Sequence, residues 1–340
     1  MSTTIRKAVI HSFGGAENIS IVSSQIEPPS SHEVQVKVLY AGFGGSDINM
    51  RNGTYPMQLP APLTPGYCLI GRVHVNGKSA SKFRPGDMVA ILTKYDADSE
   101  LVNQPEKYLI PVPDGLDLQQ AVTLILDWST AYGMVYRSTN VHKGMRVFIH
   151  GLSGAVGYAL LSLCKLNGAE VYGTASESNH AQLRELGVTP FTYKNKDWIA
   201  AMNKIGGAHA VYDALGYESW DESWSILAPK SEGGGHLVGY GGNLKMLNGD
   251  APGSTAFNTA KLLARNLVPF CPQKTSFYFI TRDQKTFEPE LKELFRMLGN
   301  GEISVPIKKV MTLDEVPKAH AEWNKMGGIG SCVVRVQADN

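Results

Sequence analysis

The chain has 340 residues, with 32 Lys and Arg against 31 Asp and Glu and a net charge of +1. A chain so balanced, with no basic run or stripe, lacks the electrostatic footprint of a nucleic-acid binder or of a protein held to an anionic membrane surface, which leaves small molecules and other proteins as partners. Its length amounts to roughly two domains at ~100–200 residues each, enough to bury a large core without staples.

The first part of the chain is built from short strand-like runs, Lys7 to His11, Val34 to Tyr40, Leu69 to Val75 and Met88 to Leu92. Pro28-Pro29-Ser30-Ser31, Asn76-Gly77-Lys78 and Pro85-Gly86-Asp87 punctuate them, which predicts a compact antiparallel, barrel-like domain. From Gln119 the pattern alternates: a helix near Gln119 to Arg137, a strand at 146–150, a helix at 155–167, a strand at 170–175, a helix at 179–186, then strands at 210–212 and 236–239. Such alternation predicts a doubly wound parallel sheet with both faces covered. Tyr240 to Gly253, rich in glycine, is expected to be a loop, either a lid or a plain surface connection. A helix from Phe287 to Gly299 and the segments Ile307 to Met311, Leu313 to Lys325 and Ser331 to Val336 mix strands with helices and are expected to fold back onto the first domain.

The most informative segment is Arg146-Val147-Phe148-Ile149-His150-Gly151-Leu152-Ser153-Gly154-Ala155-Val156-Gly157: a buried strand, a glycine turn and a helix start. Glycines let the main chain approach a pyrophosphate, and the helix start offers unpaired N–H groups on Ser153, Gly154, Ala155, Val156 and Gly157 with the positive end of its dipole. The spacing departs from the strict G-x-G-x-x-G form. It is nevertheless followed by an apolar helix ending at Asn167-Gly168 and by the strand Glu170 to Thr174, a complete βαβ unit.

Cys68, Cys164, Cys271 and Cys332 form no C-x-x-C pair, and the nine histidines show no H-x-x-x-H spacing, so neither a disulfide framework nor a bound metal is expected. No apolar stretch reaches the ~18–20 residues that span a bilayer, and no signal-peptide layout is seen, so a cytoplasmic protein is expected.

This order of parts resembles the medium-chain dehydrogenase/reductase superfamily, and in particular its zinc-free quinone oxidoreductase branch, which includes the vesicle amine transport protein homologues. The carrying motifs are the run from Ala41 to Pro56, Pro65-Gly66-Tyr67-Cys68-Leu69-Ile70-Gly71, Arg84-Pro85-Gly86-Asp87-Met88-Val89, Ser129-Thr130-Ala131-Tyr132, the glycine turn and Gly173-Thr174-Ala175-Ser176. The resemblance implies an α/β protein: a GroES-like β-rich catalytic domain over residues 1–126, a Rossmann-type doubly wound domain over 127–272, and a segment, 273–340, completing the first. Zinc alcohol dehydrogenases carry cysteine at the place of Gly44 and a histidine-glutamate pair at Tyr67-Cys68. Without those ligands a catalytic zinc cannot be held. Quinone oxidoreductases often have asparagine at the place of Gly44, and the polar contact it would make is missing.

A carboxylate at the tip of the second Rossmann strand recognises a ribose 2′-hydroxyl, whereas a 2′-phosphate needs small polar and cationic groups. Ser176 suits the phosphate, Glu177 follows it, and Asn179 stands where related reductases often carry lysine. Tyr193-Lys194 resembles the pair that packs on the 2′-phosphate, so the implied cofactor is NADPH. Ser178 and His180 are read as surface polarity. By resemblance, Gly239, Tyr240 and Phe279 stand at the nicotinamide and cleft-closing segments, with a dimer-interface strand the alternative for Phe277 to Phe279.

Without zinc or a Ser-His-Asp arrangement, the chemistry implied is hydride transfer to a quinone or an α,β-unsaturated carbonyl, with donors aimed at the oxygen where charge develops. Tyr55, placed by resemblance at the mouth of the cleft between domains, is the first candidate donor, the alternative being a Tyr that packs beside Pro56. Asp47 is read as a helix-start anchor or an acid. Thr130 is implied to line the nicotinamide pocket, or else bonds back to its own turn. Gly44, Tyr67, Trp128 and Tyr240 complete the expected acceptor pocket, with core packing the alternative for Trp128. The rival functions are a tailoring enoyl reductase of a secondary-metabolite or acyl pathway, a non-catalytic NADPH-binding vesicle-associated or structural protein, and a zinc alcohol dehydrogenase. A homodimer formed by edge pairing of the cofactor-domain sheets is implied.

Overall fold

Residues 2–55, 57–251 and 253–339 are described in this computed structural model. They divide into two units, one of the residues through Ser129, Thr281–Gly327 and those from Ser331 onward, the other of Thr130–Ile280 and Gly328–Gly330.

In the first unit, β1 (Thr3–Ile10) and β2 (Ile19–Ile26) pair antiparallel over their full lengths as a separate two-stranded ribbon. The larger sheet is organised by β3 (Glu33–Phe43), whose Val34, Val36 and Val38 are fully buried and whose β-branched side chains suit a pleated, covered surface. β4 (Cys68–Asn76) runs antiparallel along one edge of β3, and β5 (Met88–Leu92) follows β4. The other edge of β3 is shared: β6 (Leu101–Pro105) takes Glu33 to Lys37 and the returning strand Ser331–Arg335 takes Tyr40 to Phe43. β7 (Ile110–Pro111) pairs with β5, and Ile307–Thr312 lies parallel to Ser331–Arg335. The expected antiparallel barrel is therefore a ribbon beside a seven-stranded sheet with one parallel pair. That pair arises because the Leu313–Lys325 segment is helical and returns the chain in the same direction.

The second unit is a sheet of six parallel strands: β8 (Arg146–His150), β9 (Glu170–Thr174), β10 (Thr189–Phe191), β11 (Ala210–Asp213), β12 (His236–Gly239) and β13 (Lys274–Phe277). Their spatial order is β10-β9-β8-β11-β12-β13. The order reverses beside β8, and in such sheets ligands bind at the carboxyl ends of the strands at that switch point. Phe148, Trp198, Met202, Val211, Trp220, Leu237 and Leu262 form one buried cluster between sheet and helices. The unit is a Rossmann-like domain.

The helix expected near Gln119 to Arg137 is a helical run from Leu118 to Ser138, with π turns at Leu124–Trp128 and Gly133–Ser138. The segment from Tyr240 to Gly253, expected as a loop, contains the short helix Leu244–Asn248, and Asn243 N–H and Leu244 N–H donate to the Ala214 and Leu215 carbonyls at 3.0 Å. Among the described residues no helix is long and apolar enough to cross a membrane.

Candidate functional site

On the dinucleotide side, β8 ends at His150 and the chain passes through Gly151, at φ +75°, into a helix capped by Gly154 and running Ala155–Leu166. Gly154 has no side chain with which to cap this helix. The N–H groups of Ala155, Val156 and Gly157 thus have no intrahelical partner and stand at the positive end of the dipole. A Cβ on residue 157 would lie 2.0 Å from the Gly151 carbonyl oxygen, so only glycine lets the helix start against the turn. At residue 154 the nearest atom would be 3.4 Å away, which leaves open space before the unpaired N–H groups. The residues present fit a pyrophosphate.

Ser153 beside this cradle is half-buried, and its carbonyl accepts from Gly330 N–H at 3.0 Å. Ser176, just beyond β9, is exposed together with Glu177 and Ser178. Asn179 is buried instead, and its Nδ2 donates to the Gly328 carbonyl at 3.4 Å. Tyr193 and Lys194 are exposed beyond β10, one strand further from the turn than Ser176. Gly239 closes β12 against Trp220, and Tyr240 N–H donates to the Asp213 carbonyl at 3.1 Å. Phe279 is half-buried beyond β13, and Thr130 is buried in the helical run that opens this unit.

In the first unit, Gly44 starts the helix Gly45–Arg51, and its N–H donates to Asp47 Oδ2 at 2.9 Å. Asp47 therefore anchors a helix start. The residue is 1% exposed, and its Oδ1 has no hydrogen-bond partner among the described residues. Burial pushes its pKa up to about 7, against N–H donors that include Gly44 and Gly66. The Tyr55 and Tyr67 rings lie 4.9 Å apart between centroids. Burial pushes the Tyr55 phenol up to about 12 and the Tyr67 phenol further still, so both keep their protons. The Tyr67 hydroxyl is buried and completes no hydrogen bond among the described residues. Trp128 is wholly buried.

The first unit thus brings Gly44, Asp47, Tyr55 and Tyr67 together, and the second brings the glycine turn together with the ends of β9, β11 and β12. Sequence reasoning missed two further carboxyls within electrostatic reach of Asp47. Asp98 is fully buried with both oxygens unpartnered among the described residues, and burial raises its pKa well above the usual range. Asp127 rises to about 7 through burial and then the Asp47 charge. Isolated aspartates in turns and helix starts carry no sequence signal for burial.

The donor set does not fit a catalytic zinc. Gly44 offers no side chain, Tyr67 is a phenol, and the buried Cys68 thiol donates to the Val122 carbonyl at 3.7 Å with its pKa pushed well up, where a zinc ligand must be a thiolate. Among the described residues, no three His, Cys, Asp or Glu side chains gather as a metal site.

Residues 30–114 match the alcohol dehydrogenase GroES-like domain family, and residues 155–269 match the zinc-binding dehydrogenase family, named for a metal whose ligands are not found among the described residues. The human synaptic vesicle membrane protein VAT-1 homolog is 26% identical over 343 residues, covering 97% of this chain and 86% of that protein. A Pseudomonas aeruginosa quinone oxidoreductase is 26% identical over 329 residues, covering 95% and 97%. A mycobacterial protein solved in complex with NADPH shares the fold at a TM-score of 0.83 and 22% identity, covering 98% of this chain and 100% of that one.

Cradle and sheet order define an NAD(P)H-binding Rossmann domain of the kind carried by oxidoreductases. The chain belongs to the medium-chain dehydrogenase/reductase superfamily, in its zinc-free quinone-oxidoreductase and VAT-1-like branch.

Proposed function

We propose that the protein is a zinc-independent, NADPH-dependent reductase of quinones or of the activated C=C bond of α,β-unsaturated carbonyl compounds. The observation that carries this reading is the conjunction of the glycine cradle with two protonated phenols, Tyr55 half-buried and Tyr67 buried, and, among the described residues, no metal-ligand set. NADPH is supported by the small, exposed Ser176 at the tip of β9, by exposed Tyr193 and Lys194 beyond β10, and by the NADPH complex of a protein with the same fold.

A reduced nicotinamide, when bound, supplies a hydride. The protein's part is to hold the acceptor and stabilise the oxygen on which negative charge collects. Tyr55 keeps its proton across physiological pH and donates to that oxygen, a contribution worth roughly 3–4 kcal/mol when well placed. Tyr67 packs against Tyr55 and limits its freedom. Asp47 holds the Gly44 backbone through its cap. Thr130 and Tyr240 lie on the nicotinamide side in this reading, and the wholly buried Trp128 packs in the core of the first unit.

The test is NADPH oxidation across quinones, enones and enoyl thioesters, with NADH in parallel. Tyr55→Phe should lower kcat on the best acceptor by about 10²-fold, with little change in NADPH affinity. An unchanged kcat rejects the donor role. Cofactor binding without turnover on any acceptor identifies a non-catalytic binding protein instead.

We also propose a cytoplasmic homodimer. All four cysteines are free thiols, which suits a reducing compartment. Among the described residues β13 pairs only with β12, and the segment leading into it exposes Leu267 at 81% and Phe270 at 101%. Such an open, apolar edge calls for a partner strand. Light scattering should give twice the chain mass, and a monomer would remove the dimer.

A further inference from the structure

Beneath the glycine turn runs a buried chain of polar groups that none of the preceding roles uses. His150, Thr174, Asp213, Ser219 and Ser223 are each at most 4% exposed. Asp213 stands at the end of β11, and its carboxylate accepts four hydrogen bonds: Ser219 Oγ and Ser223 Oγ on Oδ2 at 2.7 Å, and Leu215 N–H at 2.7 Å and Gly216 N–H at 3.3 Å on Oδ1. Because the Ser223 hydroxyl spends its hydrogen on Asp213, its oxygen must accept from His150 Nε2, 3.0 Å away. That fixes the Nε2–H tautomer and leaves Nδ1 as an acceptor. Thr174 Oγ1 lies 3.3 Å from Nδ1 and donates to it, and Thr174 Oγ1 accepts in turn from the Gly151 N–H at 3.2 Å.

Every bond in this chain runs in one direction, from the backbone of the phosphate turn to the carboxylate of Asp213. Burial lowers the His150 pKa, in keeping with a neutral ring. The ring itself is held edge-on by Phe148 and Trp198, at 5.2 Å and 5.1 Å between centroids. Asp213 also fixes the neighbouring ligand-side loops: its carbonyl accepts from Tyr240 N–H at 3.1 Å, and its side chain orders the turn through Gly216.

We propose that His150 is a positioning residue for the dinucleotide, tying the phosphate turn after β8 to the turns after β11 and β12 through this one-way hydrogen-bond chain. The inference rests on the reading of that turn as the dinucleotide cradle. It assigns a cost in cofactor affinity to residues such as Ser223 that lie inside the fold and offer the ligand nothing directly.

The test is a double-mutant cycle on NADPH dissociation constants, measured by fluorescence titration without any acceptor. Thr174→Val and Ser223→Ala should each weaken binding about tenfold, the loss of one well-placed hydrogen bond to a positioned group. The double variant should be no worse than the weaker single, because the chain can be broken only once. In the ¹⁵N spectrum of histidine-labelled protein, the resonance missing from His150→Gln should report the Nε2–H tautomer in the wild type and lose that signature in Ser223→Ala. A packing defect alone would move the unfolding midpoint without moving the tautomer. Wild-type affinity in Ser223→Ala, or losses that multiply in the double variant, would overturn the positioning role while leaving the cradle intact. A wild-type chain that binds neither NADPH nor NADH would overturn the cradle and the positioning role together.

Discussion

Gly157→Ala is expected to abolish dinucleotide binding and to lower the unfolding midpoint as well. The added Cβ would stand 2.0 Å from the Gly151 carbonyl oxygen, 2.8 Å from its carbon and 3.2 Å from Leu152 Cα, all of them backbone atoms that cannot swing aside. Either the helix start or the turn must move. Overpacking of this kind costs ~1–3 kcal/mol or more, and the better helix propensity of alanine returns no more than ~1 kcal/mol of it. A net loss of ~2 kcal/mol lowers the midpoint of a unit this size by roughly 4–8 °C. The effect on binding is larger, because several N–H groups are aimed together. Displacing them by even ~1 Å should cost at least about 10²-fold in NADPH affinity. Gly154→Ala is the control. Its Cβ meets nothing closer than 3.4 Å and its φ of −75° is ordinary, so the fold should keep its midpoint while the methyl occupies the space before the phosphate. Wild-type NADPH affinity in Gly157→Ala would show that the turn is not the cradle.

What the sequence could disclose follows from how local each signal is. The glycine turn is local: its glycines, its following helix and the next strand sit within one βαβ unit, and each has its own steric reason. The missing zinc ligands were equally legible, because Gly44, Tyr67 and Cys68 fall inside short motifs. The chain beneath the turn was not. His150 reads as the last residue of a buried strand, and its partners lie 24 residues away at Thr174 and 73 away at Ser223. Only the parallel pairing of β8 with β9 and β11, together with the helix Ser219–Ser225, brings them together. The acid cluster was hidden for the same reason, since Asp47, Asp98 and Asp127 belong to a helix start, a loop and a π turn that meet only through the folded first unit. The helix Leu244–Asn248 was missed because flanking glycines and asparagines mask a five-residue turn whose support comes from the loop after β11.

Asp47→Asn should flatten the dependence of stability on pH. Asp47 carries a pKa of about 7 in the folded protein against 3.8 for the unperturbed group, with burial as the first cause. Between those values the folded chain holds a proton that the unfolded chain has released. Its contribution to stability is therefore fully present below about pH 4, falls as pH rises, and is spent once the folded group ionises near pH 7. Across that window the difference amounts to roughly 4 kcal/mol, at 1.36 kcal/mol per pH unit. Asparagine keeps an oxygen for the Gly44 N–H, so the helix start survives. Asp98 and Asp127 titrate in both proteins, so the difference between the two profiles isolates position 47, apart from smaller contributions through Asp98 and Asp127, whose own pKa values are raised by the Asp47 charge. Urea unfolding of the cofactor-free protein from pH 4 to pH 8 should show the wild type losing stability relative to the variant as pH rises. Parallel profiles would mean that Asp47 is already ionised at acid pH, and that the buried carboxyl is held by partners stronger than its cap.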